Sequence, residues 1–339
     1  MTRMPPAWHD DDRSPNYAHL RAPFAETPFV FDAGALETLC RLTGFRPRGV
    51  KILFGLRGCA LVDPAEVGAW RNAVRLREAR PDHRVPRCVL GVWDRPVGRV
   101  IAWPGSTVPN ADHMRRQAAA PDRRVANMLA PGMHPYVVGP HAPDGRPVEE
   151  GAFQLDRTVE VPVWRSLDAA GYDLACRFDI CAPEDNIHAA GWPGDGLEFS
   201  SAGCQTLPGR HQPPADPTGD YAAFRRAAGL SPTPDLAETG LAFDYLLVTG
   251  RHLQLVAEHW AVPGLARLLP GSSGPEVRLL QDALVSQGRI ADWGFTAGVF
   301  NGFTAKAVYD WQASRGRTAD GVLRPEEAEL LGFVLKWPG

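Results

Sequence analysis

Apolar and polar positions alternate in short runs across the first three quarters of the chain. Five runs, "RCVLGVWD" (87–94), "VGRVIAW" (97–103), "TVEVPVW" (158–164), "DLACRFDI" (173–180) and "FDYLLVTG" (243–250), are rich in β-branched and aromatic residues. Gly, Pro and Asp separate them, so they are expected to be strands of a mainly antiparallel β domain. Helical spacing interrupts this pattern at "GALETLCRLTG" (34–44), "PAEVGAWRNAVRLREAR" (64–80) and "GDYAAFRRAAG" (219–229).

Beyond residue 262 the period changes. Pro, Gly and Ser cluster in "AVPGLARLLPGSSGPEV", then Val277, Leu280 and Leu284 recur at helical spacing. Ser273 or Gly274 can cap this helix and Pro275 suits its first turn. A second helix is expected over "FTAKAVYDWQASRG", with Thr304 as N-cap, Ala307, Val308 and Trp311 inward, and Gly316 at its end. "LRPEEAELLGF" supplies a third, with Pro325 at its start and Leu330 and Leu331 facing in. Three short helices with glycine-containing links can bury one shared seam. The fold class expected is therefore multidomain α+β. The expected divisions are an N-terminal helical or mixed segment (1–80) packed on a β domain (81–262), and a three-helix unit (266–335).

Composition changes this picture little. The net charge of −3 over 339 residues provides no basic field for a nucleic-acid backbone. Only Lys51, Lys306 and Lys336 are lysines, so positive charge comes almost wholly from arginine. No apolar run approaches the roughly 18–20 residues that cross a bilayer. "MTRMPPAWHDDD" carries aspartates where a secretory signal carries an apolar stretch, so no address is visible. Six cysteines (40, 59, 88, 176, 181, 204) in a chain of this length do not suggest a disulfide scaffold, although Cys176 and Cys181 are close enough in sequence to pair. Neither C-x-x-C nor a helical His-x-x-x-His is present, so no metal ion or other cofactor is expected.

The chemistry concentrates in "NIHAAGWPGDGLEFSSAGCQTL" (186–207), where fifteen residues separate His188 from Cys204. A free thiol titrates near pH 8.5 and needs a base to become a good nucleophile at neutrality. His188 is that base if the fold brings it to Cys204, and two adjacent antiparallel strands joined by "AAGWPGDG" would do so. Ala202 and Gly203 leave the backbone open, so the amides of Ala202, Gly203 and Cys204 can form an oxyanion hole. The opposing reading makes "SSAG" a turn and Cys204 a small core residue.

This stretch resembles the signature of the L,D-transpeptidases, cysteine acyltransferases of bacterial peptidoglycan, through His188, Ser201, Gly203 and Cys204. Ala202 stands where the family has a second histidine, and Gln205-Thr206 replaces the usual apolar-then-Arg/Asn continuation. The loss of that arginine implies an altered donor specificity, or a hydrolase on the same frame. The C-terminal unit resembles the peptidoglycan-binding helical domain of cell-wall enzymes, through Gly271, "GPEVRLLQDAL" (274–284), Gly288, "GVFNGFTAKAVYDWQ" (298–312) and "ADGVLRPEEAELL" (319–331). Together the resemblances imply a wall enzyme forming stem-peptide cross-links through a Cys204 thioester, including a variant that joins L-alanine to diaminopimelate. They imply His188 as proton carrier and the carbonyl of Ala189 as the group orienting its ring. Peptidoglycan stems and glycan strands would be the partners, in the periplasm. A hydrolase on the same site and an inactive wall-binding protein are the alternatives.

Other residues carry weaker expectations. Ser201, Gln205, Trp192 and Arg57 could touch substrate. Arg57, among the apolar residues of "KILFGLRGCALV", could also pair with a local acid. Cys59 reads as core, while His134 and His141 read as structural or exposed. Glu184 and Asp185 could receive an incoming amine.

Overall fold

The computed structural model describes residues 27–79, 81–142, 149–166, 176–189, 199–210, 216–259, 264–291 and 295–335. In chain order the elements are β1 (Phe29–Asp32), α1 (Ala33–Thr43), β2 (Lys51–Arg57), β3 (Cys59–Leu61), β4 (Ala73–Glu78), β5 (Cys88–Asp94) and β6 (Arg99–Gly105). Next come α2 (Ala111–Ala119), β7 (Met128–Leu129), β8 (Gly132–His141), β9 (Glu149–Leu155), β10 (Val161–Arg165), β11 (Arg177–Cys181), β12 (Ile187–Ala189) and β13 (Gln205–Leu207). The chain continues through α3 (Gly219–Ala227), β14 (Ala242–Thr249), α4 (Gly250–His259), α5 (Pro275–Ser286), α6 (Gly302–Ser314) and α7 (Pro325–Leu330).

The fold is α+β, built on a mixed eight-stranded sheet of order β13-β12-β9-β8-β14-β2-β5-β6. Its two edges meet: Ser106, just past β6, exchanges backbone hydrogen bonds of 2.9 and 2.8 Å with Thr206 of β13. The sheet thus curls into a near-barrel, with far fewer unpaired edge groups than an open sheet. Gly105 permits the closure, since a Cβ there would stand 2.6 Å from the Thr206 carbonyl. β2 is an interior strand of this sheet, between β14 and β5. The segment before residue 80 is therefore woven into the sheet as well as packed on it.

The sheet separates two cores. Ile52, Phe54, Leu56, Leu246 and Val248 pack against Leu36, Leu39, Leu253 and Val256 of α1 and α4. The opposite faces of the same strands, with Leu53, Tyr245 and Leu247, meet Trp103, Tyr136, Phe153 and Phe224. Burial on both faces makes "KILFGLR" nearly continuous in apolar residues, with no alternation to mark it as a strand. Where one face meets solvent the alternation survives. In β4, Val74, Leu76 and Glu78 are buried and their neighbours exposed. That strand corrects the helix expected over 64–80, of which only a single 3-10 turn at Pro64–Glu66 forms. Pairing of β4 with both β1 and β3 outweighs the local helical spacing.

The C-terminal helices form where their pattern placed them. Gly274 precedes Pro275 at the start of α5, while Asn301, and not Thr304, caps α6 by accepting from the Thr304 amide at 3.0 Å. In the third helix Leu331 is buried but Leu330 is 60% exposed. The helices do not close on themselves alone. Trp311, Val308 and Ala305 share one core with Trp164 and Phe178 of the three-stranded sheet β11-β10-β7. Tyr309 stacks on Phe178 with centroids 4.6 Å apart.

Candidate active site

β12 carries the histidine and β13 begins directly after the cysteine, and the two strands run parallel, with Ile187 opposite Gln205 and His188 opposite Thr206. The antiparallel pair expected from the sequence is thereby corrected. Parallel pairing aligns the starts of the two strands, so Cys204, immediately before β13, sits beside Asn186 and His188. The Gln205 amide donates to the Asn186 carbonyl at 2.8 Å.

His188, Cys204 and His141 offer nitrogen and sulfur atoms that all lie within 4.8 Å of one another. His188 Nδ1 is 2.6 Å from the Ala189 carbonyl oxygen. A carbonyl only accepts, so Nδ1 carries the proton and Nε2 keeps its lone pair. Burial, reinforced by His141, lowers the His188 pKa to about 3, against the opposing pull of the Ala189 hydrogen bond. The imidazole is therefore neutral at physiological pH and able to accept a proton. His141 stacks on it with centroids 4.1 Å apart and ring planes inclined by 13°. Asn186 Nδ2 lies 3.0 Å from His141 Nδ1, which leaves the His141 proton on Nε2. Burial lowers the His141 pKa to about 4. Two neutral imidazoles and a thiol could also hold a soft divalent ion, an arrangement invisible in sequence because His141 comes from β8.

The thiol faces a cavity of about 360 Å³ walled by Asn127, His141, Glu184, Asp185 and Ala202 among others. Cys204 Sγ donates to the Glu184 carbonyl at 3.7 Å. Glu184 holds φ 58°, a left-handed conformation that a non-glycine residue adopts at a cost of roughly 1–2 kcal/mol. Asp185 is buried, accepts from Asn127 Nδ2 at 3.1 Å, and its pKa is pushed up to about 7, chiefly by burial. Its Oδ2 and the Oδ1 of Asn127 are buried without a hydrogen-bond partner.

The turn before the thiol is tightly determined. Ser201 Oγ donates to the Cys204 carbonyl at 2.8 Å and accepts from the Gly203 amide at 3.0 Å. The Asn127 amide donates to the Ala202 carbonyl at 2.8 Å. A Cβ on Gly203 would come within 2.5 Å of Asp185 Oδ1, so no larger residue fits without displacing that carboxyl. These contacts change the expected roles. Gly203 already donates its amide to Ser201, so of the three amides expected to form an oxyanion hole those of Ala202 and Cys204 remain the candidates. Ser201 is buried and its hydroxyl is engaged with the backbone of the turn.

Gln205 and Arg57 are likewise structural. Gln205 is fully buried, donating to the Gly203 carbonyl at 3.0 Å and accepting from Tyr245 at 3.2 Å. Arg57 is also fully buried. Its guanidinium donates to Thr107 Oγ1, the Thr107 carbonyl and the Leu129 carbonyl at 3.0, 2.7 and 2.8 Å, and so binds β2 to the segment after β6 and to β7. His134 is buried, with Nε2 2.9 Å from the Ala130 carbonyl, and Cys59 is core. Trp192 lies outside the described residues. No disulfide joins any of the six cysteines, Cys176 and Cys181 included. Sequence reasoning set His141 aside and overlooked Asn127 and Asn186; the acidic pair before β12 was the sole local signal near them.

No helix among the described residues is long and apolar enough to cross a membrane. Comparisons with family models, with curated proteins and with solved structures return no match to this chain.

Proposed function

We propose that the chain is a cysteine acyltransferase acting on peptidoglycan stem peptides, an L,D-transpeptidase in reaction type. One observation carries the reading. A cavity-lining thiol and a ring nitrogen of the neutral His188 lie within 4.8 Å of each other, and the Nδ1 of that histidine is fixed by the carbonyl of the next residue. Those are the parts a thiol nucleophile needs: a base in reach, and a group holding the base in its accepting tautomer.

His188 Nε2 takes the proton of Cys204 as the sulfur attacks a stem-peptide carbonyl. The tetrahedral oxyanion is met by the amides at the Ala202–Cys204 turn. Collapse breaks the peptide bond, and His188 returns the proton to the departing amine, leaving a thioester on Cys204. An amine from a neighbouring stem then attacks the thioester, gives its proton to His188 and forms the cross-link, restoring the thiol as sulfur leaves. Burial opposes a lasting imidazolium, so the ion pair belongs to the reacting complex and the neutral pair to the resting protein. His141, stacked on His188 with its proton on Nε2, lines the same cavity as Ala202, the position at which the resembled motif carries a second histidine. The α5–α7 unit is read as the element that holds the enzyme on the wall.

The test is mass spectrometry of purified disaccharide-peptides incubated with the wild type and with Cys204→Ala. Cross-linked dimers formed by the wild type alone support the transpeptidase, and their fragmentation identifies the donor carbonyl. Trimmed monomers in place of dimers would replace it with a hydrolase. Untouched substrate with both proteins, accompanied by sedimentation with sacculi, would leave a wall-binding protein.

A further inference from the structure

A cavity larger than the one beside the thiol lies elsewhere in the molecule. A cleft of about 820 Å³ opens between the end of α1, the loop that follows it, and the first turn of α5. Its volume lies within the range typical of ligand pockets, roughly 300–1,000 Å³. Five arginines and two glutamates line it, although the whole chain carries a net charge of −3. One glutamate, Glu37, is engaged by Arg95 at 2.8 Å. Arg46 and Arg48 are exposed, and among the described residues no hydrogen bond or ion pair engages either guanidinium. Pro47 between them restricts the backbone, so both side chains leave a stiffened loop segment. Deeper in the cleft Arg267 is buried. It donates to the Ala266 carbonyl at 2.9 Å, but its Nε has no partner. It also donates to the Gly264 carbonyl. Burial, with Arg324 nearby, depresses its pKa to about 10, while the carboxylates of Glu326, Asp320 and Glu327 pull it back. The unengaged charge of the cleft is therefore that of Arg46 and Arg48 at the rim.

The floor of the cleft is apolar: Leu42, Phe45 and Leu335 are each less than 9% exposed and contribute to the lining. A free phosphate would have no use for such a floor. A peptide would, laying its side chains there while a carboxylate meets the guanidinium forks.

We propose that this cleft is a second binding site, for a carboxylate-bearing peptide segment held by Arg46 and Arg48 at its rim and by Leu42, Phe45 and Leu335 along its floor. The site does not depend on the thiol chemistry and draws on the wall reading only for its first probe. It joins α1 of the main sheet to the α5–α7 unit, so a bound segment bridges the two.

The experiment is calorimetric titration of the full-length Cys204→Ala protein, which cannot turn substrate over. The probes are a disaccharide-tripeptide with free stem carboxylates, the same molecule fully amidated, and inorganic pyrophosphate. The tripeptide should bind, and Arg46→Glu with Arg48→Glu should weaken it by roughly tenfold or more, the equivalent of one strong charge-assisted contact. Amidation should cause a similar loss, and pyrophosphate should fail to compete. Unchanged affinity in the double variant, no binding of the tripeptide, or pyrophosphate binding as tightly as the peptide would each overturn the site. Both substitutions are at exposed positions, so an unchanged melting temperature shows that the fold is intact. Cross-linking by the Arg46→Glu/Arg48→Glu enzyme with an intact thiol separates the two readings. Loss of binding with retained chemistry at saturating substrate supports the cleft, whereas binding without any cross-linking in the parent protein removes only the acyltransferase.

Discussion

Replacing Gly203 by alanine tests the turn that presents the thiol. The added Cβ would stand 2.5 Å from Asp185 Oδ1, 2.8 Å from Asn127 Nδ2 and 2.9 Å from Asn127 Cγ, where ordinary contacts begin at 3.4 Å. Asp185 must therefore retreat by about 0.9 Å, and Asn127 by more than half of that. Neither moves freely. Both are buried, and the Asn127 amide holds the Ala202 carbonyl. Overpacking of this kind costs about 1–3 kcal/mol, and loss of the Asn127–Asp185 hydrogen bond adds about 1 kcal/mol. The expected destabilisation is about 2–4 kcal/mol, read as a lower urea midpoint at unchanged slope. Asp185→Ala removes the nearest clash, so the Gly203→Ala/Asp185→Ala double variant should recover part of the loss, with a coupling of about 1 kcal/mol or more. The rate at which iodoacetamide alkylates Cys204 should change in the single variant, because the turn carrying the thiol is displaced. A Gly203→Ala protein within about 0.5 kcal/mol of the wild type, the range of ordinary surface substitutions, would show that Asp185 and Asn127 do not clamp this turn.

Three further outcomes follow from the same geometry. Peptide mapping after brief alkylation of the folded protein should find label on Cys204, which lines a cavity. Cys40, which lines the larger cleft but whose pKa burial raises to about 12, and Cys59, whose thiol burial also pushes up, should react far more slowly; equal labelling would contradict the raised thiol pKa values. Acid should destabilise the fold early. His83, His188 and His252 have pKa values lowered to about 3, and His134 and His141 to about 4, from the usual 6.5, so the unfolded chain takes up their protons first. Their contribution is present in full above pH 6.5 and is lost as pH falls toward about 3, at about 1.4 kcal/mol per pH unit for each uncompensated proton. Asp185 and Asp320, raised to about 7 and about 6, act in the opposite sense but are fewer. Urea midpoints that hold constant from pH 7 to pH 5 would refute the buried neutral histidines. Finally, Glu327→Ala should cost about 3–5 kcal/mol, because Arg324, 2% exposed, would lose an ion pair at 3.0 Å inside a network with Asp320 and Gln312. A thermal melt that does not move would show the network to be dispensable.

What could be read from the chain in advance divides by the range of the forces involved. The strands at 88–94, 99–105 and 242–249 and the helices at 33–43, 219–227, 275–286 and 302–314 appear where spacing placed them, because period, turns and caps are local. The strand at 73–78 was legible only in its alternation. Its neighbours β1 and β3, drawn from distant sequence, decided against the helical spacing of the wider window. α2 and α4 were not expected, although their apolar stripes are no weaker than those of α1 and α5. The candidate pair His188 and Cys204 was visible because motif and spacing share one short segment.

The rest of the site was not legible, since His141 on β8 and Asn127 just before β7 reach the thiol only through sheet order. The sequence by itself determined the residue types available for chemistry, the α+β balance and the change of period near residue 262. Tertiary structure alone decided the parallel pairing of β12 with β13, closure of the sheet through Ser106 and Thr206, and the stacking of His141 on His188. It also turned Arg57, Gln205 and Ser201 inward, from expected substrate contacts to supports of the frame. Which polar side chains are buried depends on which strands come to lie beside them, and that is settled by burial of the whole sheet and not by any local pattern.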